Sequence, residues 1–529
     1  MTAPRLAALA AALSLLAALS GCVRPAPSAG AARRATPAAA AAAGVVRLLL
    51  VNDVYVLDTL RDGTGGLARV AALRDSLERD GGGGRVLFLL AGDVLSPSLL
   101  SKWYAGRQMV DGFNAARLDY ATFGNHEFEL DRDTLVARVA ASRFRWVSAN
   151  CTQADGSPFP GVPAWDTVTT SGVRVELFGL TLPGDYRRYV RCADPDSAAH
   201  AAILALRAAG AQLIVGLTHQ NLDADSALLE REPELQLILG GHEHERHVVR
   251  VAGRLVAKAD ANSRSAQLVA AWRDPAGGGW REEATVLDVR RPTPFDAATA
   301  AVPARWRDSL LRRLGPEQVV GVAPEPIDGR DAVSRRRETA LGDLVVDAMR
   351  GGTDADVALI NSGTLRLDDW LGPGPITNYQ LESIFLFADE TRVVTFPLTG
   401  ARLRALLEHS VSDVSYGHGG FLQVSGVRFQ YDPRRPSGSR VLGELARATD
   451  ARPLLAGDTV RVAFAIYPAC LGGDGYVVPE AKNACAESGR APRAADLLQR
   501  HLSGALGGRI VAPEAGRITR VGPDAGGAR

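Results

Sequence analysis

The sequence has almost no net charge: 60 Lys and Arg against 59 Asp and Glu leave +1 over 529 residues. Overall electrostatics therefore give no reason to bind a nucleic-acid polymer, and attraction to an anionic substrate has to come from local clusters. Cysteines are scarce, five in all, and none has the close spacing of a zinc–thiolate site. No internal repeat is legible. The one long apolar stretch, at the N-terminus, is short and Ala-rich for a membrane span. What is present is an ordinary globular composition, 46% hydrophobic and 22% charged, in a chain long enough for more than one core.

At the N-terminus Arg5 precedes LAALAAALSLLAALSGC, and Leu19-Ser20-Gly21-Cys22 resembles a bacterial lipobox. That resemblance implies cleavage before Cys22 and lipidation of Cys22, giving an exported lipoprotein anchored in the bacterial cell envelope, periplasmic or on the outer surface. An ordinary secretory signal or an uncleaved anchor is the plainer alternative. On the lipoprotein reading residues 1–21 are a signal peptide and 22–44 an Ala/Pro-rich tether. Export permits disulfides among Cys151, Cys192, Cys470 and Cys485. Cys470 and Cys485 flank one loop and are the better pair, with Cys151 and Cys192 left to each other.

From 45 to 290, strand-like runs (VVRLLLV, RVLFLLAG, YATFG, RWVSAN, VRVELFGL, QLIVGLT, LQLILGG) alternate with helical stretches such as GLARVAALRDSLERD. This alternation predicts an α/β domain. LVAKAD and SAQLVAAWRD read as the strands of a hairpin, and 291–316 as a connector. The region 317–521 has its own helix (TALGDLVVDAMRG), buried run (DVALINSG) and β-rich pieces, so a second domain is expected there.

The strong strands of the first region end in polar residues: Asp53, Asp93, Asn125 with His126, His219, and His242 with His244. Each alone is a common turn residue or a hydrogen-bonded histidine. Together they would converge in the crevice beyond the carboxyl ends of the strands, where α/β sheets bind ligands. Oxygen and imidazole donors without thiolates suit Mn, Zn, Fe or Co.

The segments VNDVY, AGDVLSPS, GNHEFE, GLTHQN and GGHEHE, followed by ETALGDLVVDAMR, ALINSGTLR, IFLFADE, GGFLQVSG and GGDGY, resemble in content and order the calcineurin-like metallophosphoesterases. Over most of the chain they resemble the secreted 5′-nucleotidase / UDP-sugar hydrolase family. The resemblance implies an α/β protein with a four-layer α/β/β/α metallophosphoesterase domain followed by a second α/β substrate-binding domain. It also implies a phosphohydrolase acting on 5′-nucleotides or related phosphoesters through a metal-bound hydroxide at a two-metal site. Two divalent ions (Mn, Zn, Co or Mg) would be held with Asp93 bridging, Asp53 and His244 on the first, and Asn125, His219 and His242 on the second. His126 would protonate or stabilise the leaving oxygen. Glu129 would orient it from a position where the family normally has Asp, with Asp131 as fallback. Arg335, Asn361, Arg366, Asp389 and Asp474 would contact the substrate, and Phe387 would stack on a nucleobase.

Besides Glu129, the sequence departs from the family at four places. Tyr55 occupies the position of a histidine ligand to the first metal, where it would ligate weakly, position a water or hydrogen-bond the substrate. The second base-stacking residue falls on Tyr467 or Pro468. Asp389 stands where Asn is usual, and Thr364 replaces a glycine. A non-catalytic nucleotide- or metal-binding lipoprotein is the alternative from another class. Within the class, a 2′,3′-cyclic nucleotide phosphodiesterase, a nucleotide-sugar pyrophosphatase and a sulfur-compound hydrolase stay open. His200, His247, His409, His418 and His501 lie outside the motifs and read as structural or surface residues.

Overall fold

The strand Val46–Val51 (VRLLLV) is buried at every position, so both of its faces must be covered. In the computed structural model, which describes residues 44–522 except 61, 82–83, 185, 388–390 and 514, they are. Leu49 and Val51 face a helical layer with Val70 and Phe113, while Leu48 and Leu50 face a second sheet through Val175, Leu177 and Val215. The stretch read as a signal peptide, Cys22 and Asp389 lie outside the described residues.

The first sheet has six strands in the order Trp280–Asp288, Ser265–Arg273, Val46–Val51, Val86–Ala91, Tyr120–Thr122, Arg145–Val147. Its last four strands are parallel. The second sheet runs His247–Val251, Arg254–Lys258, Leu237–Gly240, Leu213–His219, Val173–Thr181, Trp165–Thr170. Helices Leu67–Asp80, Arg107–Ala115 and Arg132–Ala141 cover the first sheet, and Pro195–Ala208 and Leu222–Arg231 the second. The layering is α/β/β/α.

One local expectation needs correction. LVAKAD and SAQLVAAWRD do not form a hairpin: Arg254–Lys258 joins the second sheet, whereas Ser265–Arg273 pairs with Val46–Val51 and Trp280–Asp288 in the first. Leu255, Ala257, Val269 and Ala271 meet face to face in the core between the sheets, so the same apolar alternation is satisfied by stacking instead of edge pairing. Most of the stretch read as a connector is the helix Ala297–Leu314, capped by Asp296. Val302 is buried in the core of the helical layer, and Trp306 Nε1 donates to Asp111.

The second region is built on a four-stranded sheet ordered Val393–Thr399, Thr459–Ala465, Val357–Asn361, Leu422–Ser425. Ala340–Gly352 and Ala494–Arg500 bury against one face and Gly400–Ser410 against the other. Cys151 is bonded to Cys192 and Cys470 to Cys485. Among the described residues, no helix is long and apolar enough to cross a membrane.

Candidate metal centre

The parallel strands of both sheets end on one side of the molecule. Asp53, Asp93 and Asn125–His126 follow strands of the first sheet; His219, His242 and His244 come from the second. The chain leaves these strands abruptly. Asp53, Asp93, His242 and His244 have φ of 53°, 56°, 94° and 63°, in a region that costs a non-glycine residue about 1–3 kcal/mol and persists where the surroundings enforce it. The flanking glycines reflect crowding as well as turning. A Cβ on Gly124 would stand 2.1 Å from Asp93 Oδ1, and one on Gly92 would stand 2.7 Å from His219 Nδ1.

Each aspartate has one oxygen held and one turned inward. Asp53 Oδ2 accepts from Asn52 Nδ2 (2.8 Å) and the His242 amide (2.9 Å), and Asp93 Oδ1 accepts from the His126 amide (2.9 Å). The inward atoms, Asp53 Oδ1 and Asp93 Oδ2, face His219 Nε2 at 3.9 and 3.1 Å. His219 Nδ1 donates to the Ala91 carbonyl at 2.8 Å, which leaves Nε2 as the inward ring atom. That Nε2 is fully buried against the Asp93 carboxylate, and Asn125 Oδ1 is buried without a hydrogen-bond partner. Asp53, Asp93 and His219 together could hold a metal ion, and carboxylate oxygens, an imidazole nitrogen and a buried amide oxygen without a partner are donors of the kind such a site uses. The residues fit the group.

The electrostatics agree. Burial would lower the basicity of His219, but the Asp93 and Asp53 carboxylates outweigh it and push its pKa up to about 10. His244 is likewise pushed up to about 10 against burial, by Asp368 and Asp53. Burial and the neighbouring His219 hold His242 down at about 3. Burial would raise Asp53, yet His219 and His244 bring it to about 2. The raised imidazoles report the negative field of the Asp53 and Asp93 carboxylates, the same field that would attract a cation.

Tyr55 points into this pocket. Its Oη lies 3.1 Å from His244 Nε2, 3.2 Å from Asp93 Oδ2 and 3.4 Å from Asp53 Oδ1. Burial, then Asp93 and Asp53, push its pKa well above the ordinary phenol value. Its backbone is fixed by Asn262, whose Oδ1 accepts from the amides of Tyr55 and Val56.

His126 Nδ1 lies 2.5 Å from Glu129 Oε1, and Ser96 Oγ donates to Glu129 Oε2 at 2.7 Å. Asp131 instead caps the helix Arg132–Ala141, accepting from the Thr134 amide and hydroxyl. On the other side of the imidazole, Arg366 Nη2 is 2.9 Å from Nε2. A guanidinium only donates, so Nε2 carries the lone pair and Nδ1–H donates to Glu129. Arg366 brings the second region onto the site; its side chain is 6% exposed and lies 3.6 Å from Asp331, which also binds Arg335 at 2.5 Å. His244 Nδ1 faces Asp368 Oδ2 at 3.7 Å. A cavity of about 270 Å³ opens beside Tyr55, His244, Arg366 and Asp368.

Of the remaining substrate candidates, Asn361 and Asp474 pair with each other. Asn361 Nδ2 donates to Asp474 Oδ2 at 2.6 Å, and Thr364 Oγ1 donates to Asn361 Oδ1 at 2.5 Å. Phe387 is half-buried, with the Arg366 guanidinium 6.0 Å from its ring centre. Pro468 is buried in the helix Ile466–Cys470, whereas the half-buried Tyr467 packs its ring over Gly473, where a Cβ would stand 2.4 Å away. His409, taken from the sequence as merely structural, has its Nε2 2.8 Å from the Asp474 carbonyl and lines a small cavity with Asp474.

Several residues that build the site carried no signal of their own. Glu127, in GNHE, accepts from the amides of Asp93, Val94, Leu95 and Gly124. Lys258 is buried, and its Nζ reaches the carbonyls of Gln220 and Gly241 and the carboxylates of Asp225 and Glu243. It ties the loop after His219 to the loop carrying His242 and His244. Lys258→Met is expected to destabilise the protein by about 3–5 kcal/mol, because Asp225 is left buried and unpaired. Denaturant unfolding checks this.

Comparison with known proteins agrees with this geometry. Residues 46–246 match the calcineurin-like phosphoesterase model, and 319–480 match the 5′-nucleotidase C-terminal domain. Protein 5NUC of Lutzomyia longipalpis is 27% identical over 71% of this chain and 73% of its own length. The Homo sapiens 5′-nucleotidase is 24% identical over 83% and 85%. The crystal structure of the 5′-nucleotidase precursor from Thermus thermophilus superposes with a TM-score of 0.79 at 28% identity, covering 91% of this chain and all of that one. The chain belongs to the 5′-nucleotidase family, in which a calcineurin-like phosphoesterase domain precedes a 5′-nucleotidase C-terminal domain, and it is a hydrolase of that type.

Proposed function

We propose that the protein is a metal-dependent phosphohydrolase that releases phosphate from 5′-nucleotides or closely related phosphomonoesters. The observation that carries this reading is the buried cluster of Asp53, Asp93 and His219, whose inward donor atoms could share a metal ion and beside which the His126–Arg366 contact brings in the second region. Asp93 would lie between two metal positions, with Asp53 and His244 on the first and Asn125, His219 and His242 on the second. Divalent ions bound there supply Lewis-acid polarisation of a phosphoryl group and lower the pKa of water.

The chain's own residues do the rest. Arg366, placed at His126 with its guanidinium buried, transfers its donors to the oxygens of an incoming phosphoryl group, which frees His126 Nε2 to hold a proton for the leaving oxygen. Glu129 fixes the ring by accepting from Nδ1 and offsets the charge of the protonated imidazole. Arg335 is linked to Arg366 through Asp331 and adds positive charge at the same entrance. Asn361 and Asp474 would hydrogen-bond the nucleoside, and Phe387 and Tyr467 would flank the base; Tyr467 takes this role over Pro468 because it keeps exposed ring surface. Two disulfides suit an exported protein, and the anchor would be a lipid on Cys22.

Phosphate release from AMP with added Mn²⁺, compared with the same protein in excess chelator, tests the proposal: release is expected only with metal. Glu129→Gln should lower kcat about 10–100-fold with KM and metal content unchanged. Asp131→Asn, which touches only a helix cap, should leave kcat as it is. Equal losses in the two variants would place the orienting carboxylate elsewhere.

A further inference from the structure

Lys102 lies outside the motifs read from the sequence, yet its side chain is only 3% exposed and spans the two regions. It sits in the short helix Leu99–Tyr104 of the first region, which Ser98 caps by accepting from the Ser101 amide. Its Nζ donates to Glu382 Oε2 at 2.6 Å and to the Phe385 carbonyl at 2.9 Å. Glu382 belongs to the helix Asn378–Ile384, and Phe385 is the residue at which that helix ends. The lysine thus brings a positive charge from one region to the carboxyl end of a helix in the other, where carbonyls lack intrahelical partners. A buried ammonium is costly unless it is paired, and here both partners come from the second region.

The place it grips matters. Ile384, the residue before Phe385, accepts at its carbonyl from the Arg366 amide at 2.9 Å. The main chain of Arg366 is therefore fastened to the segment that Lys102 holds. Leu99, on the lysine's own helix, and Ser383 and Leu386, flanking the gripped carbonyl, line the cavity beside Arg366. The contacts His126–Arg366 and His244–Asp368 also join the regions, but each uses a group of the site itself. When Arg366 turns its donors to a phosphoryl group, its bond to His126 is given up. The Lys102 contact uses none of the residues assigned to substrate or metal, so it stays.

Resting on the reading of Arg366 as a phosphate contact, we propose that Lys102 is a positioning residue. It holds the segment 384–387 against the first region and, through the Ile384 carbonyl, keeps the Arg366 guanidinium in register with His126.

A double-mutant cycle on the metal-loaded full chain tests this, with AMP hydrolysis and binding of inorganic phosphate as readouts. It compares wild type, Lys102→Met, Arg366→Ala and the double variant. Methionine keeps the length of the side chain and drops its charge, and Glu382 retains Arg493 at 3.1 Å as a counter-ion, so the fold should survive; thermal melts check it. Lys102→Met should lower kcat/KM about 10–100-fold, the loss that a small misplacement of reacting groups produces. It should also weaken phosphate binding and leave metal content unchanged. In the Arg366→Ala background the same substitution should cost less than about 2-fold on either readout, because the group it positions is gone. If Lys102→Met does not fold, Glu382→Gln weakens the same contact with the lysine in place, and it should show a milder loss with the same dependence on Arg366. Wild-type activity and phosphate affinity in the substituted proteins, or a loss of equal size with and without Arg366, overturns the inference while the hydrolase stands. A wild type that neither hydrolyses AMP nor binds phosphate overturns both.

Discussion

His126→Ala is expected to lower the rate of phosphate release by about 10²–10⁴-fold, the usual contribution of a positioned acid–base group, equivalent to about 3–5 kcal/mol of transition-state stabilisation. The metal content should not change. The imidazole touches the cluster only at its edge, with Nε2 3.8 Å from Asp93 Oδ2, and its two close partners are Glu129 and Arg366. The ring's removal leaves Asp93 with the backbone amide of residue 126 still on Oδ1, so the carboxylate keeps its orientation. The variant should therefore bind metal and substrate and fail at the chemical step. Steady-state kinetics with elemental analysis of the same preparation separate the two effects. Loss of metal together with activity would place His126 among the ligands instead.

Asp93→Asn should fail in the opposite way. The substitution keeps the shape of the side chain and removes its charge, at the carboxylate whose inward oxygen lies 3.1 Å from His219 Nε2 and 3.2 Å from Tyr55 Oη. Asp93 is also the carboxylate that contributes most to holding His219 in its raised state. Metal affinity is expected to fall by at least about 10–100-fold, a range already reached when only a supporting group is lost, and activity should fall with it. Thermal denaturation gives an independent readout. A ligand that binds only the folded state at about 100 times its Kd adds about 2.7 kcal/mol, so wild type should melt higher with added metal and Asp93→Asn should show little gain. An Asp93→Asn protein with full metal content would remove Asp93 from the centre.

What could be read from the sequence was what is local to a strand and its turn. Each of Asp53, Asp93, Asn125, His219, His242 and His244 follows an apolar run, and a single α/β rule brings such ends together. Glu129 is three residues from His126, and one turn of helix closes that contact. The residues that were missed depend on partners far along the chain. Asn262 reaches Tyr55 across 207 positions, and it can do so only because the strands on either side of its loop belong to different sheets, where a hairpin was expected. Lys258 ends the strand Arg254–Lys258, and only the loops brought over it explain its charge. Asp331 and Asp368 lie in stretches without a motif and gain meaning from Arg366 and His244. The helix Ala297–Leu314 was legible as one helical stretch among prolines and charge, and Val302 and Leu310 bury one of its faces.

The central claim, a metal-dependent phosphohydrolase assembled from strand ends of two sheets and closed by the second domain, is tested most directly by one titration. Phosphate release is followed from AMP, a 2′,3′-cyclic nucleotide, a nucleotide sugar and a simple phosphomonoester, using chelator-treated full-length protein to which Mn²⁺, Zn²⁺ or iron is added back. The account predicts no release from the chelated protein and restored release from AMP on metal addition, abolished again in His126→Ala. No metal-dependent release from any of these substrates would contradict it.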